Sequence, residues 1–387
     1  MAHTIRERFA QIGGQLRTVG AGAVSYVFFA DAHLDEYLRK DAAGALRVYE
    51  DDSTVERRIA RFMSHLEEAV HFVNATPEID FVAMGGDMLN AYSIRGKQAV
   101  LDTLNRALSP LQSCRKPVVL AFGNHDDNGF QTLNPDIPAL RPEWLISDMD
   151  WRERVLDRYP GAESRVHDER YPYSKYFYMD LPDKHTRIVV LDTMDMRKPF
   201  DAAGTVTDMT NRLPRFWYTD QQLDWLCRRA LRAPDGWDYI LISHMGIQQD
   251  TSDNCRNGDR LRAVLQAFQQ RGAVSLDYTD MDGTPVSIEA DFSPLRESRL
   301  LLYHFGHQHA ELVHYSPDID LWQVATGCEN VWGGCGDAAG DKSLPWVYMT
   351  DRTEGTERET CFDVFSVRRE VGYKFNVGPG RDAVMKR

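Results

Sequence analysis

Five short polar clusters in this 387-residue chain combine the side chains that bind hard and borderline metal cations. Each follows an apolar run. Val24 to Ala30 leads into Asp31-Ala32-His33, Phe81 to Met84 into Gly85-Gly86-Asp87, and Val118 to Phe122 into Gly123-Asn124-His125-Asp126. Tyr239 to Ile242 leads into Ser243-His244, and Leu300 to Phe305 into Gly306-His307-Gln308-His309. Carboxylate, amide and imidazole donors without a thiolate suit manganese, iron or zinc and argue against copper or iron–sulfur chemistry.

Short continuous apolar runs read as strands buried on both faces, as in the parallel part of an α/β sheet. Ligand sites in such sheets gather beyond the carboxyl ends of the strands, so five dispersed loops can meet at one point. Fragments of the same motifs recur elsewhere as internal controls. Asp183-Lys184-His185 is another D-x-H, and Gly258-Asp259, Gly336-Asp337 and Gly340-Asp341 repeat the Gly-Asp pair. For a lone fragment the surface pair is the better reading. None of these controls is expected to follow a strand, whereas each of the five clusters does.

Taken in order, D-x-H, G-D, G-N-H-D, H and G-H-x-H resemble the signature of the calcineurin-like metallophosphoesterase superfamily. The likeness spans about residues 25 to 310. It implies an α/β fold of two stacked mixed β-sheets flanked by helices, a four-layer sandwich. It also implies two adjacent divalent metal ions, with Asp31, His33 and His309 on one, Asn124, His244 and His307 on the other, and Asp87 bridging both. The implied reaction is hydrolysis of a small phosphate monoester or diester by in-line attack of a metal-bridging hydroxide, since paired metals lower the pKa of bound water and clamp both the attacking and leaving oxygens. His125 resembles the family's catalytic histidine, placed to protonate the leaving oxygen, with Asp126 as the acid that orients its imidazole. Two cations with only two ligating carboxylates keep a net positive charge and form an anion hole in an otherwise acidic protein. A nuclease of the same superfamily and a non-catalytic binding protein on the same fold are the alternatives.

Asn90, three residues beyond Asp87, is a weaker candidate for contacting substrate, and a loop-capping role is equally compatible with its position. Gly86, Gly123 and Gly306 allow tight turns at the strand ends, where turn geometry and function make the same demand. His304, His65 and His71 read as structural; His3, His167, His185 and His314 read as exposed.

The bulk composition permits such an enzyme. Hydrophobic residues are 43%, charged residues 27% and the formal net charge is -13, which disfavours an extended nucleic-acid footprint. A small phosphorylated substrate is the expected partner; oligomeric state is open. The six cysteines, including Cys328 and Cys335, lie scattered and read as reduced thiols. With three arginines before Gly20 and no long apolar stretch, the N-terminal residues suggest neither a signal peptide nor a membrane span, hence a cytoplasmic protein.

Helical periodicity appears at Ile59, Phe62, Met63, Leu66, Val70 and Val73, with Ser53 as the expected N-cap, then from about Asp220 and over Asp259 to Gln270. Leu321 to Thr326, Phe362 to Val367 and Tyr373 to Val377 read as strands without intervening helices. The whole chain reads as one domain, 1–387, with its core at about 22–330 and with 331–387 completing the sheets. Two insertions stand out. Residues 127–185, rich in aromatics, are either a lid over the site or an excursion that packs its own rings; Gly333 to Glu359 is expected to be exposed.

Overall fold

The computed structural model describes residues 2–20, 22–34, 38–40, 46–48, 52–90, 96–129, 141–196, 198–207, 216–247, 255–280, 283–327, 347–348 and 360–387. Along the chain these form helix α1 (Ala2–Val19), strand β1 (Val24–Phe29), a ribbon of β2 (Leu38–Lys40) and β3 (Leu46–Val48), helix α2 (Asp52–Ala75), β4 (Phe81–Met84), α3 (Lys97–Ala107) and β5 (Val118–Leu120). An excursion adds α4 (Asp148–Arg154), β6 (Arg165–His167) and β7 (Phe177–Leu181). It leads into β8 (Thr186–Val190), β9 (Phe216–Trp217), α5 (Asp220–Trp225), β10 (Asp238–Ile242), β11 (Cys255–Arg256) and α6 (Gly258–Gln270). A hairpin of β12 (Ala273–Thr279) and β13 (Pro285–Asp291) precedes β14 (Arg299–Phe305), β15 (Glu311–Ser316) and β16 (Leu321–Ala325). The chain finishes with β17 (Val347–Tyr348), β18 (Phe362–Val367), β19 (Val371–Val377) and β20 (Ala383–Lys386).

Two mixed sheets result. The first has the order β20-β19-β18-β1-β4-β5 and the second β17-β15-β16-β14-β10-β8-β7-β6. In the first, β1, β4 and β5 run parallel; in the second, β8, β10, β14 and β16 do. Strands β1, β4 and β5 are buried along their whole length, which is why they read as unbroken apolar runs. Strand β10 shows the division of labour in a doubly covered sheet. Ile240 and Ile242 pack toward the first sheet, while Tyr239 and Leu241 face the layer of α5 and α6. The apolar stripes of α2 and α3 cover the outer face of the first sheet; for example, Phe29 meets Phe62 edge to face at 6.3 Å. The architecture is thus the expected four-layer α/β sandwich.

In four places local structure adds to or differs from the sequence reading. Helix α1 was not expected, because Gly13, Gly14 and the arginines break up its composition; yet Ile5, Phe9, Ile12 and Leu16 recur at helical spacing and are buried, with Phe9 stacked on Phe72 at 4.3 Å. Helix α2 begins at Asp52, so Ser53 lies inside its first turn rather than at the cap. The hairpin β12–β13, for which the sequence reading named no element, alternates buried Leu276 and Ile288 with exposed polar residues. Finally, described residues 141–185 form a structured excursion: β6 and β7 extend the second sheet, and Trp151, Tyr159, Tyr176 and Phe177 are buried in its cores. Residues 130–140 lie outside the described residues, as do Cys328, Cys335 and nearly all of 333–359. Cys114, Cys227, Cys255 and Cys361 are free thiols.

Candidate metal centre

The parallel strands of both sheets deliver their carboxyl ends to one place. Asp31 and His33 follow β1, Asp87 follows β4, Asn124 and His125 follow β5, His244 follows β10, and His307 and His309 follow β14. The backbone there is unusual. Asp31, His33, Asp87, His307 and His309 all have positive φ, between 47° and 66°. Non-glycine residues occupy this region at a cost and cluster at sites where the surrounding structure holds them. Five such residues within one constellation mark loops shaped around what their side chains must hold.

Two groups of donor atoms lie within 4.8 Å of one another: Asp31, His33, Asp87 and His309, and Asp87, His244 and His307. Asp87 belongs to both. Nε2 of His33 stands 3.0 Å from Nε2 of His309, and His309 Nε2 lies 3.5 Å from Asp31 Oδ1. Two imidazole lone pairs so close repel unless a proton or cation sits between them, so this donor set fits a divalent metal. In the second group His244 Nε2 faces Asn124 Oδ1 at 2.9 Å and Asp87 Oδ2 at 3.2 Å. Its Nδ1 donates to the Gly85 carbonyl at 2.9 Å, which fixes the tautomer and presents Nε2 inward, as second contacts of metal-binding histidines do.

Electrostatics tell the same story in protons. Burial favours the neutral acid at Asp87, but His244 and His125 outweigh it and hold the carboxyl well below its usual range. Burial also opposes charge on His244, yet Asp87 and Asp31 push its pKa up to about 9. Buried His33, beside His309 and His125, is pushed well below the ordinary imidazole value. The carboxylates hold a proton on one histidine while its neighbours resist one. A pair of cations would replace that proton with better charge balance.

His125 is also in the cluster. Its backbone N–H donates to Asp87 Oδ1 at 2.8 Å, its Nδ1 meets the Asn90 carbonyl at 2.6 Å, and its Nε2 lies 3.8 Å from Asp87 Oδ2. The orienting partner is therefore Asn90 and not Asp126. The Asp126 carboxylate instead accepts backbone N–H groups from Asp87, Met88, Leu89 and Gly123, at 2.8 to 3.1 Å. An acid directly after the histidine has its side chain turned back under the loop, where it shapes the Asp87 turn. Burial and the charge of Asp87 push its pKa up to about 7, against the pull of the Gly123 and Leu89 N–H groups.

Asn90 is fully buried, and its amide donates to the His33 carbonyl at 3.2 Å, so it braces His33 and His125 rather than reaching outward. The sequence reading missed Arg58, whose guanidinium also donates to that carbonyl at 2.9 Å. It adjoins Ile59 on α2, and nothing in the apolar periodicity distinguishes it from a surface arginine. Gly123 is dictated by contact, because a Cβ there would lie 2.2 Å from Asp87 Oδ1. His304 is structural as expected, while His167 and His314 are half-buried rather than exposed.

Residues 25–322 match the family described as calcineurin-like phosphoesterase. No match is found among curated proteins. Among solved structures, the chain is similar to a dimetal phosphatase from Danio rerio at 13% identity, covering 94% of this chain and 98% of that one, with a TM-score of 0.53. A predicted phosphoesterase from Streptococcus pneumoniae aligns at 11% identity over 94% of this chain and 98% of that one, with a TM-score of 0.30. The motifs, their convergence at the strand ends and the match over most of the length lead to one statement: this chain belongs to the calcineurin-like phosphoesterase family.

Proposed function

We propose that this phosphoester hydrolase acts on a small phosphorylated molecule, a monoester or a diester, through two divalent cations. The observation that carries the reading is the meeting of six dispersed side chains in two donor groups that share Asp87, with Asn124 beside His244. Asp31, His33 and His309 would hold one cation, Asn124, His244 and His307 the other, and Asp87 both. Manganese, iron and zinc all suit this set of oxygen and imidazole donors. Bound there, the cations would supply Lewis acidity, generating a nucleophile from water and neutralising charge on the phosphoryl group.

The protein's own groups do the rest. Asn90 holds Nδ1 of His125 and so turns Nε2 toward Asp87 on the metal side. From there it would give a proton to the departing oxygen or hydrogen-bond to the phosphoryl group as charge grows. Burial, partly offset by Asp87 and the Asn90 carbonyl, lowers the pKa of His125, so the negative charge of a bound phosphoryl group beside Nε2 would be what favours the protonated, donating form. Among the described residues no helix is long and apolar enough to cross a membrane.

The test is hydrolysis of p-nitrophenyl phosphate and bis-p-nitrophenyl phosphate by manganese-reconstituted protein, with a chelator control. Chelator-sensitive turnover of either is expected, and the preferred ester assigns the class. No turnover of both would overturn the proposal and favour a binding role on the same fold.

A further inference from the structure

Beneath the ligand loops a line of buried polar side chains crosses repeatedly between the two sheets, and none of the chemistry above uses it. Tyr26 on β1 lies with its hydroxyl 3.0 Å from Nδ1 of His304 on β14. Nε2 of His304 is 2.9 Å from the Thr326 hydroxyl at the end of β16, which in turn is 2.7 Å from Asp363 Oδ2 on β18. Oδ1 of Asp363 faces Lys374 Nζ and Asn376 Nδ2 on β19, each at 2.9 Å, and Lys374 also pairs with Glu311 on β15. All these residues are buried.

The proton order follows from the donor inventory. A carboxylate only accepts, so Thr326 donates to Asp363 and must accept from Nε2–H of His304; Nδ1 is then the acceptor for Tyr26. Burial, reinforced by Lys374, keeps His304 neutral, consistent with this single tautomer. Every link is directional. The path runs from the first sheet (Tyr26) to the second (His304, Thr326), back to the first (Asp363, Lys374) and again to the second (Glu311).

The line is rigidly joined to the candidate metal ligands. The His304 ring stacks on Phe28 at 3.4 Å with an interplanar angle of 18°. Three residues beyond Phe28 is Asp31, and three beyond His304 is His307, whose N–H donates to both oxygens of Asp31 at 3.0 Å. A Cβ on Gly306 would come within 2.8 Å of Ala30 Cβ and of Asp31 Oδ2, so the loops have no slack. Asp31, His33, Asp87 and Asn124 come from the first sheet, and His244, His307 and His309 from the second. Apolar contacts alone tolerate small slides between sheets, whereas a chain of directional buried hydrogen bonds selects one alignment.

Resting on the two-metal reading, we propose that Tyr26, His304, Thr326, Asp363 and Lys374 form a positioning network that sets the offset between the sheets and thereby the geometry of the metal pair. Thr326→Val keeps the side-chain shape but removes the link, while Thr326→Ser retains it. Leu265→Ala, in the core on the far face of the second sheet, serves as a destabilised control. The readouts are manganese affinity by chelator competition and the exchange-coupled electron paramagnetic resonance signal of the manganese pair, both well below Tm.

Wild type, Thr326→Ser and Leu265→Ala are expected to show the coupled signal at unchanged affinity. Thr326→Val is expected to lose or alter the coupling and to bind manganese ~10–100-fold more weakly, the range seen when groups supporting metal ligands are disturbed. Should Thr326→Val fail to fold, Tyr26→Phe, which removes only the terminal donor, is expected to shift the same signals less. A folded variant that loses only Tm, as the Leu265 control does, would show the network to be merely structural. A wild-type protein without a coupled pair would instead overturn the two-metal reading on which the network depends.

Discussion

The two ends of the sandwich carry the same motif with opposite consequences. At one end Asp31-Ala32-His33 leaves β1 and enters the candidate metal centre; at the other Asp183-Lys184-His185 turns from β7 into β8. Contrary to the sequence expectation, this second D-x-H does follow a strand. But β7 runs antiparallel to β8, so its carboxyl end lies beside the amino ends of the parallel strands. There Lys184 donates to the Ala23 carbonyl just before β1, and the His185 carbonyl accepts from Asp238 as β10 begins. Strand direction, not strand adjacency, separates the two. Dispersed loops converge only where parallel strands all end.

The sharpest way to break this comparison is to remove Asp87, the group common to both donor sets. Asp87→Ala is expected to abolish metal loading at both positions and to lower phosphoesterase turnover by at least roughly 10³-fold. Metal content by elemental analysis checks the cause. A variant that keeps both metals would mean that Asp87 is not the shared ligand.

His125→Ala comes next. Its loss is expected to reduce turnover by roughly 10²–10³-fold, as for other positioned proton donors, with metal content unchanged. The effect should be smaller for an ester with a good leaving group such as p-nitrophenolate, which needs little protonation. Equal losses for good and poor leaving groups would count against a proton-donating role.

Much of this centre was readable before folding, and the reasons are specific. Each candidate ligand sits at the end of an apolar run, a one-dimensional pattern that survives in sequence because parallel strands are buried on both faces. The contacts of Asp126, Asn90 and Arg58 were not readable. Asp126 serves the Asp87 loop 39 residues away and Arg58 the carbonyl of His33, and no periodicity encodes a side chain bonding to distant backbone. Helix α1 was missed for another reason: its stripe of Ile5, Phe9, Ile12 and Leu16 is interrupted by Gly13 and Gly14, whose poor helix propensity tertiary packing overrides.

Protons and metals should compete at this end of the molecule alone. His244, raised to about 9, and Asp126, raised to about 7, both bind protons more tightly in the folded metal-free protein than in the unfolded chain. The sign follows from linkage: stability from such groups is complete below their unfolded pKa values and is lost as pH rises through the folded ones. Without metal, Tm should therefore fall between about pH 7 and pH 9 as His244 loses its proton. At lower pH the loss through Asp126 is opposed by buried His33, His125 and His304, whose lowered pKa values make the folded protein shed protons before the unfolded chain does. With manganese bound, the decline should flatten, because the cation replaces the proton on His244, and metal affinity should rise over the same interval. A metal-free Tm that rises across this window would contradict the assigned shifts.

The smallest effect belongs to the opposite end. Asp183 is exposed and its turn is closed by a backbone bond from His185 to the Pro182 carbonyl, so nothing in the metal cluster depends on its carboxylate. Asp183→Ala is expected to change stability by no more than about 0.5 kcal/mol, the usual size for a surface substitution. Turnover and metal content should stay at wild-type levels. The paired measurement is Asp31→Ala, chemically the same truncation in the same D-x-H motif, which is expected to remove a ligand and most of the activity. If the two variants behaved alike, the direction of the preceding strand would not be what gives the motif its chemistry.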